Sequence, residues 1–124
     1  MTLLDTCILV DVLRGKAAAT TFVTGLKAPP EVSAVTLTEL VAGCRDAKER
    51  RQVDILMSHY GVRDIGKDIA NLAGEYVRRY GASHGTDPID AMIAATAKVH
   101  GLSLATLNLK HFPMFAGLAR PYRP

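Results

Sequence analysis

The sequence predicts an α/β fold built on a mainly parallel sheet. Short β-rich runs alternate with longer helical patterns along the whole chain. The apolar runs have the length of buried strands and core helices, and none nears the about 18 residues of a membrane span. Asp5, Glu39 and Asp90 each stand where a predicted strand passes into a helix. A buried strand has no structural use for an acid at its end. In parallel sheets that edge is where ligands bind.

The elements follow in order. Residues 2–5 read as the first strand. Residues 6–14 read as a short helix with Ile8, Leu9, Val12 and Leu13 apolar, closed at Arg14-Gly15. The Ala- and Thr-rich run 16–27 predicts a second helix, and Pro29-Pro30 breaks it. Glu31 to Val35 is β-rich, and Thr36 then opens a helix that turns Leu37, Leu40 and Val41 inward. Gly43 and Asp46 mark a turn before a charged helix over 46–60, with Val53, Leu56, Met57 and Tyr60 on one side. A brief strand covers Val62 to Ile65. Residues 66–81 carry a helical stripe of Ile69, Leu72, Ala73, Tyr76, Val77 and Tyr80, followed by a polar loop over 81–86. Residues 88–100 predict an Ala-rich helix stopped by Gly101. Leu102 to Thr106 is the last strand, and 108–115 a loop or single turn.

The chain of 124 residues is expected to form one domain, residues 1–124. A hydrophobic content of 48% is that of a globular protein and argues against disorder. The N-terminus lacks a basic region and a small-residue cleavage site, so a cytoplasmic location is expected. Cys7 and Cys44 are then two reduced thiols. Together with the scattered His59, His84, His100 and His111 they fall short of a zinc site.

The net charge is +3, from 15 basic against 12 acidic residues. If Asp5, Glu39, Asp87 and Asp90 cluster, eight acids face the same 15 bases, and the remaining surface carries +7. An acidic pocket on a basic surface suits metal-dependent chemistry on a polyanion. A mildly basic protein without that meaning has the same sum.

Each acid also has a purely structural reading. Thr36-Leu37-Thr38-Glu39 matches a capping box. Asp87-Pro88-Ile89-Asp90 offers an N-cap, a proline at the first helical position and an acid at the third. Asp5 or Thr6 suits the cap of the first helix. What favours a site is convergence. In a parallel sheet all strand-to-helix junctions share one edge, so Asp5, Glu39 and Asp90 meet there. Packed carboxylates repel one another and call for a cation. Oxygen-only ligands suit Mg²⁺ or Mn²⁺. The last strand adds the Thr106 hydroxyl and the Asn108 amide oxygen to the same edge.

Four pieces in this order resemble the PIN-domain ribonucleases, and among them the VapC-type toxins of bacterial toxin–antitoxin pairs. They are Leu4-Asp5-Thr6, Ser33 to Leu40 with Thr36 and Glu39, Asp90 to Ala97, and Thr106-Leu107-Asn108 followed by His111-Phe112. The resemblance spans essentially the whole chain. It implies a three-layer α/β/α fold with roughly four to five strands in a mainly parallel sheet. It also implies a Mg²⁺-dependent endoribonuclease that hydrolyses phosphodiester bonds with an activated water. Asp5 and Asp90 are then direct ligands, and Glu39 a ligand or water-orienting group. Asn108 is a weak or water-mediated ligand, while Thr6, Thr106 and Asp87 support from behind. Asn108 stands where many PIN nucleases carry a fourth acid, so both one and two metal ions are compatible. His111 beside Phe112 is expected to serve surface or packing needs, and Arg14, Lys16 and Lys110 to be solvated charges.

The implied partners are an RNA substrate, a cognate antitoxin and a second copy of the chain, with no membrane. Two other classes compete. One is a metal-inactive PIN domain that acts as an antitoxin-binding co-repressor. The other is a phosphatase working through an aspartyl-phosphate, which expects an acid two residues after Asp5, where this chain has Cys7.

Overall fold

The first strand, β1 (Thr2–Leu4), is short, buried and central. The computed structural model describes residues 1–124. After β1 come α1 (Thr6–Leu13), α2 (Ala17–Thr24), β2 (Glu31–Ser33), α3 (Ala34–Ala42) and α4 (Ala47–Met57). Then follow β3 (Gly61–Arg63), α5 (Lys67–His84), α6 (Pro88–His100), β4 (Ser103–Ala105) and a single 3₁₀ turn, Leu109–His111. The four strands are all parallel, in the order β3-β2-β1-β4.

Alternation along the strands separates two cores. Leu4, Val32 and Ala105 point to one side and pack with Ile8 and Leu9 of α1, Val23 of α2, Leu40 of α3, and Val53 and Met57 of α4. Leu3 and Leu104 point to the other side and pack with Ile93, Ala94 and Ala97 of α6 and with Phe112. Ile69 and Ala73 of α5 close on Ala91 and Ala95 of α6. Small residues on α6 let α5 approach closely. The result is the expected α/β/α sandwich.

Pairing pins β1 to β4 by Leu3 opposite Leu104 and Leu4 opposite Ala105. The Asp5 amide then donates to the Ala105 carbonyl at 2.9 Å, which carries the pairing one residue past the strand. At the far edge, Glu31 accepts two bonds from Arg63, at 2.8 and 3.0 Å. Gly61 makes room for this: a Cβ there would stand 3.0 Å from Glu31 Oε2.

Two boundaries differ from expectation. The third helix starts at Ala34, not Thr36, because the Ser33 hydroxyl caps it by accepting the Val35 amide at 3.2 Å. Thr36 and Glu39 therefore form no capping box, and Glu39 lies in the second turn. The polar stretch 81–86 is not a loop throughout. Helix α5 runs through Gly81 to His84, because an isolated glycine weakens a helix without ending it. The stop comes at Gly85, whose φ of 67° favours glycine.

Candidate active site at the carboxyl edge of the sheet

Asp5 ends β1 and caps α1, so the edge of the sheet fixes its backbone. Its Oδ1 accepts the Thr6 amide at 2.8 Å. Its Oδ2 accepts the Thr106 hydroxyl at 2.6 Å, and the Cys7 thiol approaches the same oxygen at 3.4 Å. Only 4% of the residue is exposed. Burial pushes its carboxyl above the usual range, and the donors pull against this, Thr106 foremost. Burial, and then the Asp5 charge, push the Cys7 thiol up to about 12, so Cys7 stays a neutral thiol.

Thr106 lies just past β4 and is fully buried. Its oxygen also accepts the Asn108 amide at 3.0 Å, which turns the chain away from the sheet. On the other side, the Thr6 hydroxyl donates to Glu39 Oε1 at 2.7 Å. The Thr36 hydroxyl lies 3.0 Å from the Thr6 oxygen and donates to it in turn. Glu39 itself is exposed.

Asp90 is the third residue of α6, in a capping box with Asp87. Asp87 Oδ1 accepts the Asp90 amide at 2.8 Å, and the Asp87 amide points to Asp90 Oδ2 at 3.5 Å. Burial first, then the Asp87 charge and more weakly that of Asp5, push the Asp90 carboxyl up to about 6. His111 Nδ1 stands 3.1 Å from Asp90 Oδ2.

The sequence-predicted residues thus gather at one edge, but not as one tight shell. Asp5 and Asp90 are near enough for their charges to interact. Glu39 joins through Thr6. No three His, Cys, Asp or Glu side chains are close enough together to hold a metal ion. The Thr6 and Thr106 hydroxyls donate to the Glu39 and Asp5 carboxylates. Asp87 caps α6. Asn108 is exposed, and its side chain makes no capping bond.

His111, expected to serve surface or packing needs, is half-exposed and also turns its ring toward Asp90. Arg14 and Lys110 are exposed, whereas the Lys16 ammonium lies 5.6 Å from the centroid of the Tyr122 ring.

The donor set fits a hard divalent cation. Its groups are carboxylate, hydroxyl and amide oxygens, and the two carboxyls at its centre are both pushed toward the neutral form. Beside Glu39 a cleft of about 500 Å³ opens between α1, α3 and α4, lined by Val10, Leu13, Leu40 and Val53 with Arg14 and Arg45.

Fold and site together define a parallel α/β domain with an acidic center at its carboxyl edge. The chain belongs to the PIN domain family, whose model matches residues 2–117. It is 42% identical to Ribonuclease VapC10 of Mycobacterium tuberculosis over 98% of this chain and 93% of that one. It is 41% identical to Ribonuclease VapC19 of the same organism over 98% of this chain and 100% of that one. Among solved structures it resembles a chain of a toxin–antitoxin complex from Klebsiella pneumoniae, with a TM-score of 0.86 and 27% identity over the whole of both chains.

Proposed function

We propose that this chain is a cytoplasmic, Mg²⁺-dependent endoribonuclease, the toxin of a toxin–antitoxin pair, and that Mn²⁺ can substitute. The observation that carries the reading is the Asp5–Asp90 pair at the edge of a parallel sheet: burial raises both carboxyls, and the Asp87 charge and more weakly that of Asp5 raise Asp90 further. The curated relatives named ribonucleases support RNA as substrate.

Asp5 and Asp90 would hold the ion, with Glu39 as a further ligand or as the group that orients water, and Asn108 beside them. When bound, the ion supplies charge stabilisation at the phosphoryl oxygens and lowers the pKa of a water. The chain's own part is orientation. Thr106, Cys7 and the Thr6 amide fix both oxygens of Asp5. The Thr36–Thr6 relay fixes one oxygen of Glu39. An Asp5 so fully engaged is poorly placed as a nucleophile, which disfavours the aspartyl-phosphate reading.

The toxin–antitoxin complex that this chain resembles supports an antitoxin partner. The cleft beside Glu39, part apolar and part charged, is the surface we assign to it. A basic side chain from the partner would reach the carboxylates and exclude the ion. We further propose a homodimer that assembles into a larger complex with the antitoxin.

The test is cleavage of RNA by the purified chain. Cleavage should require Mg²⁺, stop with EDTA, and fall to background in Asp5→Asn and Asp90→Asn. An Asp90→Asn protein that cleaves at the wild-type rate overturns the assignment.

A further inference from the structure

Asp5 and Asp90 are held very differently. Asp5 has three donors on its two oxygens. Asp90 has only a long contact from the Asp87 amide, at 3.5 Å, and the His111 ring at 3.1 Å. Without His111, the Asp90 carboxylate would have almost nothing to set its orientation.

The His111 ring is itself built into place. The Thr86 hydroxyl, 2% exposed, donates to the His111 carbonyl at 2.7 Å. The His111 amide donates to the Asn108 carbonyl at 3.1 Å. The next residue, Phe112, is 1% exposed and anchors the turn in the core beneath α6. Behind the ring lies the backbone of Gly85, where a Cβ would stand at ordinary van der Waals distance, 3.6 Å, from Nε2. A histidine serving only as surface needs none of these restraints. A carboxylate offers only lone pairs, so the ring nitrogen facing Asp90 must carry a proton.

We propose that His111 is a positioning residue for the metal ligand Asp90: its Nδ1–H holds Oδ2 and leaves the other carboxylate oxygen directed to the cation. This rests on the proposed metal-dependent function. Carboxylate ligands commonly depend on such an outer partner, whose loss weakens metal binding by about 10- to 100-fold.

The experiment is Mn²⁺ titration of the intact protein by calorimetry, with thermal melting without metal as the control for folding. The variants are His111→Asn, His111→Gln and His111→Phe. The amide nitrogen of asparagine overlays Nδ1, that of glutamine overlays Nε2, and phenylalanine has no donor. Asparagine should keep Mn²⁺ affinity within about threefold of wild type. Glutamine and phenylalanine should weaken it by about tenfold or more, with the melting temperature little changed. The Mg²⁺ concentration for half-maximal cleavage should rise in the same order. Tighter or unchanged Mn²⁺ binding by the glutamine and phenylalanine variants overturns the proposal, the ring then being a competitor or a bystander. Equal loss in all three overturns the Nδ1 assignment. A wild-type protein that binds no Mn²⁺ overturns the metal-dependent reading itself, and this inference with it.

Discussion

The Thr106 hydroxyl donates to Asp5 Oδ2 at 2.6 Å, across 101 residues of sequence. One bond thus ties the end of β4 to the end of β1 and fixes the most buried acid of the site. Thr106→Val keeps the shape and removes the donor. It should cost about 1–3 kcal/mol of stability in denaturant unfolding at neutral pH. The loss should shrink in acid, where Asp5 takes up a proton and no longer needs the donor. A loss that is the same at both pH values would count against this account.

Asp90 makes the protein, without added metal, less stable as pH rises. Its carboxyl ordinarily titrates near 3.8 and here near 6, so the native state binds the proton more tightly than the unfolded state. The stabilising contribution of that proton is complete below about 4 and is lost as pH climbs to about 6. Asp90→Asn removes the titration. With EDTA present, its melting temperature should exceed that of wild type at pH 7 and converge with it near pH 4. Melting curves across that range check this.

Thr6→Val should break the relay from Thr36 to Glu39 without touching the Asp5 carboxylate. Cleavage should fall, but less than in Asp5→Asn. If Glu39 has no part in the reaction, the valine variant will cleave at the wild-type rate.

Leu13→Glu replaces one of the apolar side chains lining the cleft beside Glu39 with a charge. Binding of a co-expressed antitoxin should weaken in a pull-down, while RNA cleavage by the free chain persists. Unchanged binding would move the antitoxin surface elsewhere.

For the dimer, light scattering at micromolar concentration should give about twice the 13.3 kDa of the chain. A clean 13.3 kDa species would exclude it.

Much of this was legible in the sequence, for reasons that particular residues show. The alternation of strands and helices sets the parallel sheet and places Asp5 at its carboxyl edge, but Asp90 does not stand at the expected strand-to-helix junction: α6 follows α5 with no strand between them, and the helix pair carries Asp90 to that edge. Asp87-Pro88-Ile89-Asp90 named its own helix start, because proline and the two acids act locally. The start of α3 was misread because Val35 favours strands, while the Ser33 cap wins through a single side-chain bond. The end of α5 was misread because Gly81 looks like punctuation but sits within a helix. The contact between His111 and Asp90 was not legible because the partner is contributed by a distant helix, and no local pattern in the His111 loop states that Asp90 lies opposite. The separation of Glu39 from the other two acids has the same origin: it depends on where α3 begins.

The strand order has a consequence for synthesis. β1 leaves the ribosome first, yet it lies between β2 and β4, and β4 is encoded near the end. A ribosome must translate most of the message before the edge that holds Asp5 can close, since non-local pairing has to wait for both partners. A chain broken off before β4 carries Asp5, Glu39 and Asp90 but lacks the β4 pairing and the Thr106 hydroxyl that hold the first of them. The edge that carries Asp5 is therefore completed only in the last moments of translation.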